Sequence, residues 1–280
     1  MLKKILKVSA VLLLVGFSFF YTEKVTIIAR NSDPIMRAIK EEEKDKKISN
    51  VNPIVNKDEY KTGINGCEID VDESYSKMRS VGEFKEELIV MKEVSNDKDL
   101  TNKYVIGGNN KDKKVSLIFF VNKDINNDLT NYINEKDIKV NYFINGKYLE
   151  ENLITVKFLS ENNNIYYLGM DDKYSDEYML YHNNLIGMNG TNESKYCFTN
   201  DKNNETLKIC NDYNMTTIKS DVIKDNVYKT IKDKLNNGVI FAVDSDNIDE
   251  IKVSINYILS KGYNIVSLED LLSEKNGCNM

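Results

Sequence analysis

Residues 114–122 read KVSLIFFVN, and this stretch decides the fold. Its middle, residues 115–121, is apolar at nearly every position and rich in β-branched and aromatic residues. That composition suits a strand buried on both faces of a parallel sheet. A polar turn and an amphipathic helix follow, and the same order recurs to the end of the chain, so the stretch reads as the first strand of an α/β domain. In such folds the C-terminal ends of the strands carry the chemistry. Here that end is Phe120, Val121 and Asn122.

From this strand the units continue with regular spacing. Residues 124–136 place Ile125, Leu129, Tyr132 and Ile133 on one helical stripe, and residues 138–144 alternate as a strand. One helix is expected over 147–159, a strand over 164–168 and an irregular loop over 170–193. Strands at 195–198, 215–218, 239–243 and 264–266 then alternate with helices at 203–212, 227–235 and 248–259. Gly238 and Gly262 follow helix ends, and Ser267 with Asp270 caps a last short helix. About seven strand and helix units result, which right-handed crossovers would close into a barrel or leave as a wound sheet.

Residues 24–112 read differently. Residues 25–29 look like a short strand, and Asp33-Pro34 is a helix start with Asp as cap and Pro at the first helical position. A charge run at 41–47 follows. Between Gly63 and Val94 come a turn, a strand at 67–71, a helix at 74–79 and a strand at 88–94. This is a small α/β appendage. Lys3, Lys4 and Lys7 precede an uncharged apolar run over 8–21, the pattern of an export signal. No small-x-small cleavage site follows, and residues 5–21 reach the ~17-residue lower limit of a membrane span. The expectation is an uncleaved anchor over 1–23, with the appendage over 24–112 and the α/β domain over 113–275 held outside the cytoplasm.

The chain carries 44 acidic and 38 basic residues, a net charge of −6. No concentrated basic face emerges beyond Lys111, Lys113 and Lys114, so nucleic acid is not an expected partner. Of the four cysteines, Cys197 and Cys210 lie 13 apart on a strand and the following helix and are a disulfide candidate. Three full pairings remain open, and no C-x-x-C pair starts a zinc site. Asp244, Asp246 and Asp249 fail as an EF-hand because Asp249 stands where Gly is needed. Gly107-Gly108 leads into a strand, which excludes a phosphate loop. Asp70 and Asp72 read as a helix N-terminus, and His182, with no G-x-S-x-G elbow to serve, as an exposed loop residue.

Several segments, in order, carry a family resemblance: KVSLIFF (114–120), VNYFINGKYLEEN (140–152), NNETLKICNDYNMTTI (203–218), NNGVIFAVDS (236–245) and ILSKGYNIVSLEDLL (258–272). Together they resemble the polysaccharide deacetylase family, the NodB homology domain. The resemblance implies a distorted (β/α) barrel, to which the small N-terminal appendage and the N-terminal hydrophobic helix read above would be attached. It also implies hydrolysis of the amide bonds of N-acetylated cell-surface sugars, with a divalent metal such as zinc held by one Asp and two His.

The chain departs from that pattern at each reactive position. Where the family has Thr-Phe-Asp-Asp, this sequence has Ile118, Phe119, Phe120 and Val121, so the base and the metal carboxylate are both hydrocarbon. Residues 164–171 hold no His, the Arg-Pro motif falls on Cys197-Phe198, and the late His falls on Val243. The whole chain has one His where the mechanism needs three. A replacement carboxylate site would have to draw on Asp171, Asp172 and Asp244, residue types that more often serve as turn and cap residues.

The expectation is therefore a pseudoenzyme: a membrane-anchored, extracytoplasmic protein that binds cell-wall glycan or an envelope protein and needs no cofactor. Asn122, Asp171, Tyr196 and Asp244 are the candidate binding residues. The alternatives are a deacetylase with relocated ligands and a purely structural surface protein.

Overall fold

The computed structural model describes residues 2–96, 98–108, 112–123, 125–171, 173–189, 194–275 and 278, with backbone alone for 2–14, 19 and 23. Lys111 and Asp172, named above, lie outside them, as does residue 124 at the start of the first expected helix. The first elements are α1 (Leu2–Ser32), α2 (Pro34–Lys46), β1 (Ile54–Asn56), β2 (Glu59–Thr62), β3 (Gly66–Ile69), α3 (Val71–Val81), β4 (Met91–Val94) and β5 (Tyr104–Gly108). Next come β6 (Lys114–Val121), α4 (Asn127–Glu135), β7 (Asn141–Asn145), α5 (Gly146–Glu151), α6 (Leu153–Ser160), β8 (Asn164–Gly169) and α7 (Asp176–Asn189). The chain ends with β9 (Tyr196–Thr199), α8 (Asn204–Asp212), β10 (Thr216–Lys219), β11 (Val222–Ile223), α9 (Val227–Lys234), β12 (Ile240–Val243), α10 (Ile248–Ser260), β13 (Asn264–Ile265) and α11 (Leu268–Leu272).

Contacts divide these elements into two units. The first comprises residues 1–50, 65–95 and 276–280, and the second residues 51–64 and 96–275. Residues 51–64 and 96–112, grouped by sequence with the appendage, thus cluster with the α/β domain.

In the first unit α1 runs unbroken through residues 25–29, so the strand expected there is helix. Within it the Thr22 and Thr26 hydroxyls donate to the carbonyls of Ser18 and Thr22, at 2.7 and 2.8 Å. Among the described residues no helix is long and apolar enough to cross a membrane. The side chains of residues 8–14, half of the expected anchor run, lie outside the described residues. Asp33 caps α2, accepting from the Ile35 amide at 2.8 Å, and the Tyr75 hydroxyl donates to its other oxygen at 2.9 Å. Met36 and Ile39 of α2 then pack on Ile69, Tyr75 and Met78, the unit's small core. Strands β3 and β4 pair antiparallel, and Cys67 on β3 is bonded to Cys278, 211 residues later in the chain.

The second unit is built on two sheets. One has the order β11-β12-β6-β7-β8, parallel throughout, with β13 also alongside β6. The other has the order β1-β2-β5-β10-β9, parallel except for the β1-β2 pair. Strand β6 is central in the first sheet, and its side chains alternate between two cores. Val115, Leu117, Phe119 and Val121 face a layer that includes Leu129, Ile133, Leu149, Val156 and Ile255 of the helices. Ile118 and Phe120 face a cluster drawn from both sheets, with Phe143, Tyr166, Phe198, Ile218 and Ile240.

The α/β fold with parallel sheets is as expected, whereas closure into a seven-strand barrel is not shown. The strands follow one another as a barrel requires, but among the described residues no ladder joins β8 to β9 or β10 to β11. At the N-terminal ends of the strands Asn141 is fully buried and fully used. Its amide donates to the Ser116 hydroxyl at 2.8 Å and the Leu117 carbonyl at 2.9 Å, and its carbonyl accepts from the Leu268 amide at 2.9 Å.

Two sequence expectations fail within this unit. The helix expected over 147–159 is broken into α5 and α6 at Asn152, whose φ of −131° and ψ of 39° leave the helical region. The loop expected over 170–193 contains α7, a helix of 14 residues that buries Met179, His182 and Ile186.

Candidate functional site

At the C-terminal ends of the strands a cleft of about 250 Å³ opens between β6, β8, β9, β11 and β12. Its floor is apolar. Phe120, from the end of β6, meets Phe198 of β9 edge to face with ring centroids 4.8 Å apart. Behind them Phe198 touches Phe143, and Phe143 touches Tyr166, at 5.8 and 5.2 Å between centroids. Such pairs add roughly 0.5–1.5 kcal/mol each beyond the area they bury, so the floor is a fixed part of the core. Leu168 and Val222 complete it.

The rim is polar and comes from the loops after the strands. Asn122, Asn200, Lys224 and Asp244 stand around the opening, with Lys224 Nζ 4.0 Å from Asp244 Oδ2. Both members of that pair are well exposed, so it contributes little to stability. Asn203 also lines the cleft, but its side-chain oxygen is committed to capping α8 through the Glu205 and Thr206 amides, at 3.1 and 3.0 Å.

Of the residues expected from sequence, Asn122 and Asp244 come together here. Asp171 does not line the cleft; it lies in the turn after β8 with a positive φ of 49°. Tyr196 does not line the cleft; it is half-buried against the core, its ring 5.3 Å from that of Tyr166. Burial first, then the charges of Glu269, Tyr60 and Asp270, push its phenol pKa up. Asp172 lies outside the described residues. Lys224 and Asn200 were not legible in the sequence because they reach the rim only through long-range strand order.

A second cavity, of about 340 Å³, lies on the other side of β6, walled by Phe119, Val121, Leu129, Tyr142 and Val243. Asn122 and Asp244 border both cavities, and Lys123 pairs with Asp246 at 2.7 Å across this second one.

His182 overturns the expectation of an exposed loop residue. It is fully buried in α7 and stacks on Tyr167 with ring centroids 4.7 Å apart. Its Nδ1 lies 3.0 Å from the Tyr178 carbonyl and its Nε2 2.9 Å from Glu150 Oε1. Both hydrogen-bonding positions are used, and neither faces the cleft. Cys197 and Cys210 form a disulfide, with Cα atoms 6.3 Å apart.

Models of known protein families give no match to the sequence, and neither do curated proteins. Solved structures do match. BA3943, a CE4 family pseudoenzyme from Bacillus anthracis, superposes with a TM-score of 0.62 at 20% identity, over 87% of this chain and 96% of that one. The chain has the CE4 fold. The Bc1960 peptidoglycan N-acetylglucosamine deacetylase shares the CE4 fold with a TM-score of 0.53 at 15% identity, over 62% of this chain and 95% of that one. PdaA of Bacillus subtilis, a family 4 carbohydrate esterase, matches with a TM-score of 0.51 at 15% identity, over 60% and 84%. The likeness to BA3943 covers more of this chain than the expected α/β domain over 113–275 alone.

The metal implied by the CE4 fold does not fit the residues present. Phe120 fills the floor where the first carboxylate would stand, and Val121 turns away into the helix layer. Tyr166 and Leu168 of β8 face the core, and residues 164–171, where the resemblance would place the imidazoles, hold no His. Among the described residues no group of three His, Cys, Asp or Glu side chains could hold an ion.

Proposed function

We propose that this protein is a membrane-anchored, extracytoplasmic glycan-binding protein that uses the deacetylase fold without deacetylase activity. One observation carries the reading: Phe120 occupies the cleft floor and is locked against Phe198. Amide hydrolysis needs a polarised carbonyl and a general base, and an aromatic hydrocarbon can neither ligate an ion nor accept a proton. The same cleft suits binding. An apolar aromatic floor accepts the C–H face of a sugar, and the amides of Asn122 and Asn200 with Lys224 and Asp244 can bond its hydroxyls. An envelope protein is the alternative partner.

Anchoring is supported by Lys3, Lys4 and Lys7 ahead of the apolar run. The extracytoplasmic side is supported by all four cysteines being paired, which persists only under oxidising conditions.

The test uses the full chain in detergent, loaded with zinc and given acetylated chitooligosaccharides or peptidoglycan. No acetate release is expected, and the protein should sediment with purified cell wall, less so after Asn122→Ala and Asp244→Ala together. Stoichiometric zinc with turnover would favour relocated ligands. Absence of wall binding would favour the protein partner.

A further inference from the structure

The cavity of about 340 Å³ behind β6 takes no part in the cleft chemistry. Strands β6 and β12 give it Phe119 and Val243, and helices α4 and α10 give it Leu129 and Ile251. All four belong to the core on the helix side of the sheet. They border a space without closing it, because the elements that carry them are tied elsewhere. The ladders fix β12, β6 and β7, and the Tyr132 hydroxyl of α4 donates to Asn256 Oδ1 of α10 at 2.7 Å.

One polar group is orphaned there. Tyr142, on β7, lines the cavity at 1% exposure, and its hydroxyl is buried without a hydrogen bond. The Thr130 hydroxyl beside it turns to the Asn126 carbonyl instead, at 3.4 Å. A buried phenol has given up its water, and leaving it unpaired costs free energy that a hydrogen-bonding partner would recover. Burial pushes its pKa up, which keeps it a neutral donor. Among the described residues the charges lining the cavity are Lys123, Asp244 and Asp246, all on its exposed edge, and Lys123 donates to Asp246 there at 2.7 Å.

This lining selects a ligand class. A sugar would set most of its hydroxyls unpaired against Phe119, Leu129, Val243 and Ile251, and a charged group would lose its water with no counter-ion inside. An apolar body carrying a single oxygen suits both the walls and the phenol. A dry cavity of about 150 Å³ holds benzene, so this one has room for roughly a dozen non-hydrogen atoms. We propose that the cavity is a second ligand site, for a small uncharged amphiphile whose oxygen accepts from the Tyr142 hydroxyl. The proposal is independent of what the cleft binds.

Methyl NMR of the full chain in lipid nanodiscs tests it, with probes that share a phenylbutyl body: phenylbutanol, phenylbutanoate and phenylbutylamine. The alcohol should shift the Leu129, Val243 and Ile251 methyls saturably and leave Ile154, exposed on α6, unmoved. That contrast separates a site from partition into lipid. The carboxylate and the amine should bind about tenfold more weakly or less, since either buries a charge. Tyr142→Phe should weaken the alcohol about fivefold and leave butylbenzene, which has no oxygen, unchanged. Leu129→Phe should fill the space and weaken both, with far-UV circular dichroism confirming the fold; Tyr142→Phe, which removes only an unpaired atom, carries the test if Leu129→Phe does not fold. The absence of saturable shifts, equal binding of the three head groups, an alcohol indifferent to Tyr142→Phe, or shifts confined to Leu168 and Val222 of the cleft would overturn the proposal.

Discussion

Phe120 and Phe198 meet edge to face, with ring centroids 4.8 Å apart and planes inclined at 64°. The contact joins the ends of β6 and β9, one strand from each sheet, across the opening where a deacetylase would hold its reactive groups. Val121, the next residue, takes no part in the cleft because strand alternation sends it to the helix layer.

Restoring the two carboxylates should therefore not restore activity. The double variant F120D/V121D is expected to release no acetate with zinc present. It should also lose about 2–4 kcal/mol of stability in urea unfolding, since one Phe is lost from the floor and two carboxylates enter apolar surroundings. Turnover by this variant would show that the imidazoles it lacks are dispensable.

His182 should behave as a structural residue. His182→Ala removes the stack on Tyr167 and leaves Glu150 and the Tyr178 carbonyl without their ring partner. A loss of about 2–4 kcal/mol is expected, with wall binding unchanged under conditions where the variant is folded. Loss of binding at full stability would instead place His182 in the function.

The two disulfides should differ in accessibility. Cys197 and Cys210 are both fully buried, whereas Cys278 is only half-buried. Mild reductant without denaturant should open Cys67–Cys278 first, as read by alkylation and peptide mass mapping. Removing Cys197–Cys210 by a double Ser substitution should cost roughly 3 kcal/mol, the loop-closure value for a short loop.

Asp33 should make the first unit sensitive to acid. The Ile35 amide, then the Tyr75 hydroxyl, hold its carboxyl below the ordinary carboxylate range. A depressed folded-state pKa stabilises at neutral pH, and the contribution is lost as pH falls through the unfolded and then the folded value. Asp33→Ala should therefore destabilise the unit at pH 7, and the difference from the parent should shrink below about pH 4. Hydrogen exchange read on the amides of α2 and α3 follows this. A difference constant down to pH 2 would refute the linkage.

Elements with strong local signals were legible. Strand β6 announced itself by continuous apolar residues, α10 by Ile251, Ile255 and Ile258 on one face, and α11 by the Ser267 cap on the Asp270 amide at 3.1 Å. Helix α7 was hidden because His182 occupies the place of an apolar residue between Met179 and Ile186, and polar Asn183 and Asn184 blur the period. The break at Asn152 was hidden for the opposite reason: Leu149, Leu153 and Val156 keep helical spacing straight across it. Residues 25–29 have strand-forming side chains, and the continuous helix overrode that preference.

The sequence by itself determined what this protein lacks. A chain with one histidine, and with Phe120 and Val121 where the resemblance places carboxylates, cannot supply the one-Asp, two-His ligand set that the resemblance implies, because composition sets an upper limit on which side chains are on hand. Tertiary structure alone decided what stands in that place: Phe120 facing Phe198, Asn122 and Asp244 brought to one rim, Tyr196 and His182 drawn inside, Cys67 joined to a residue 211 positions away. Local periodicity is written in neighbouring residues, whereas these pairings depend on which distant surfaces fit together, and that fit is settled only when the sheets and helices pack.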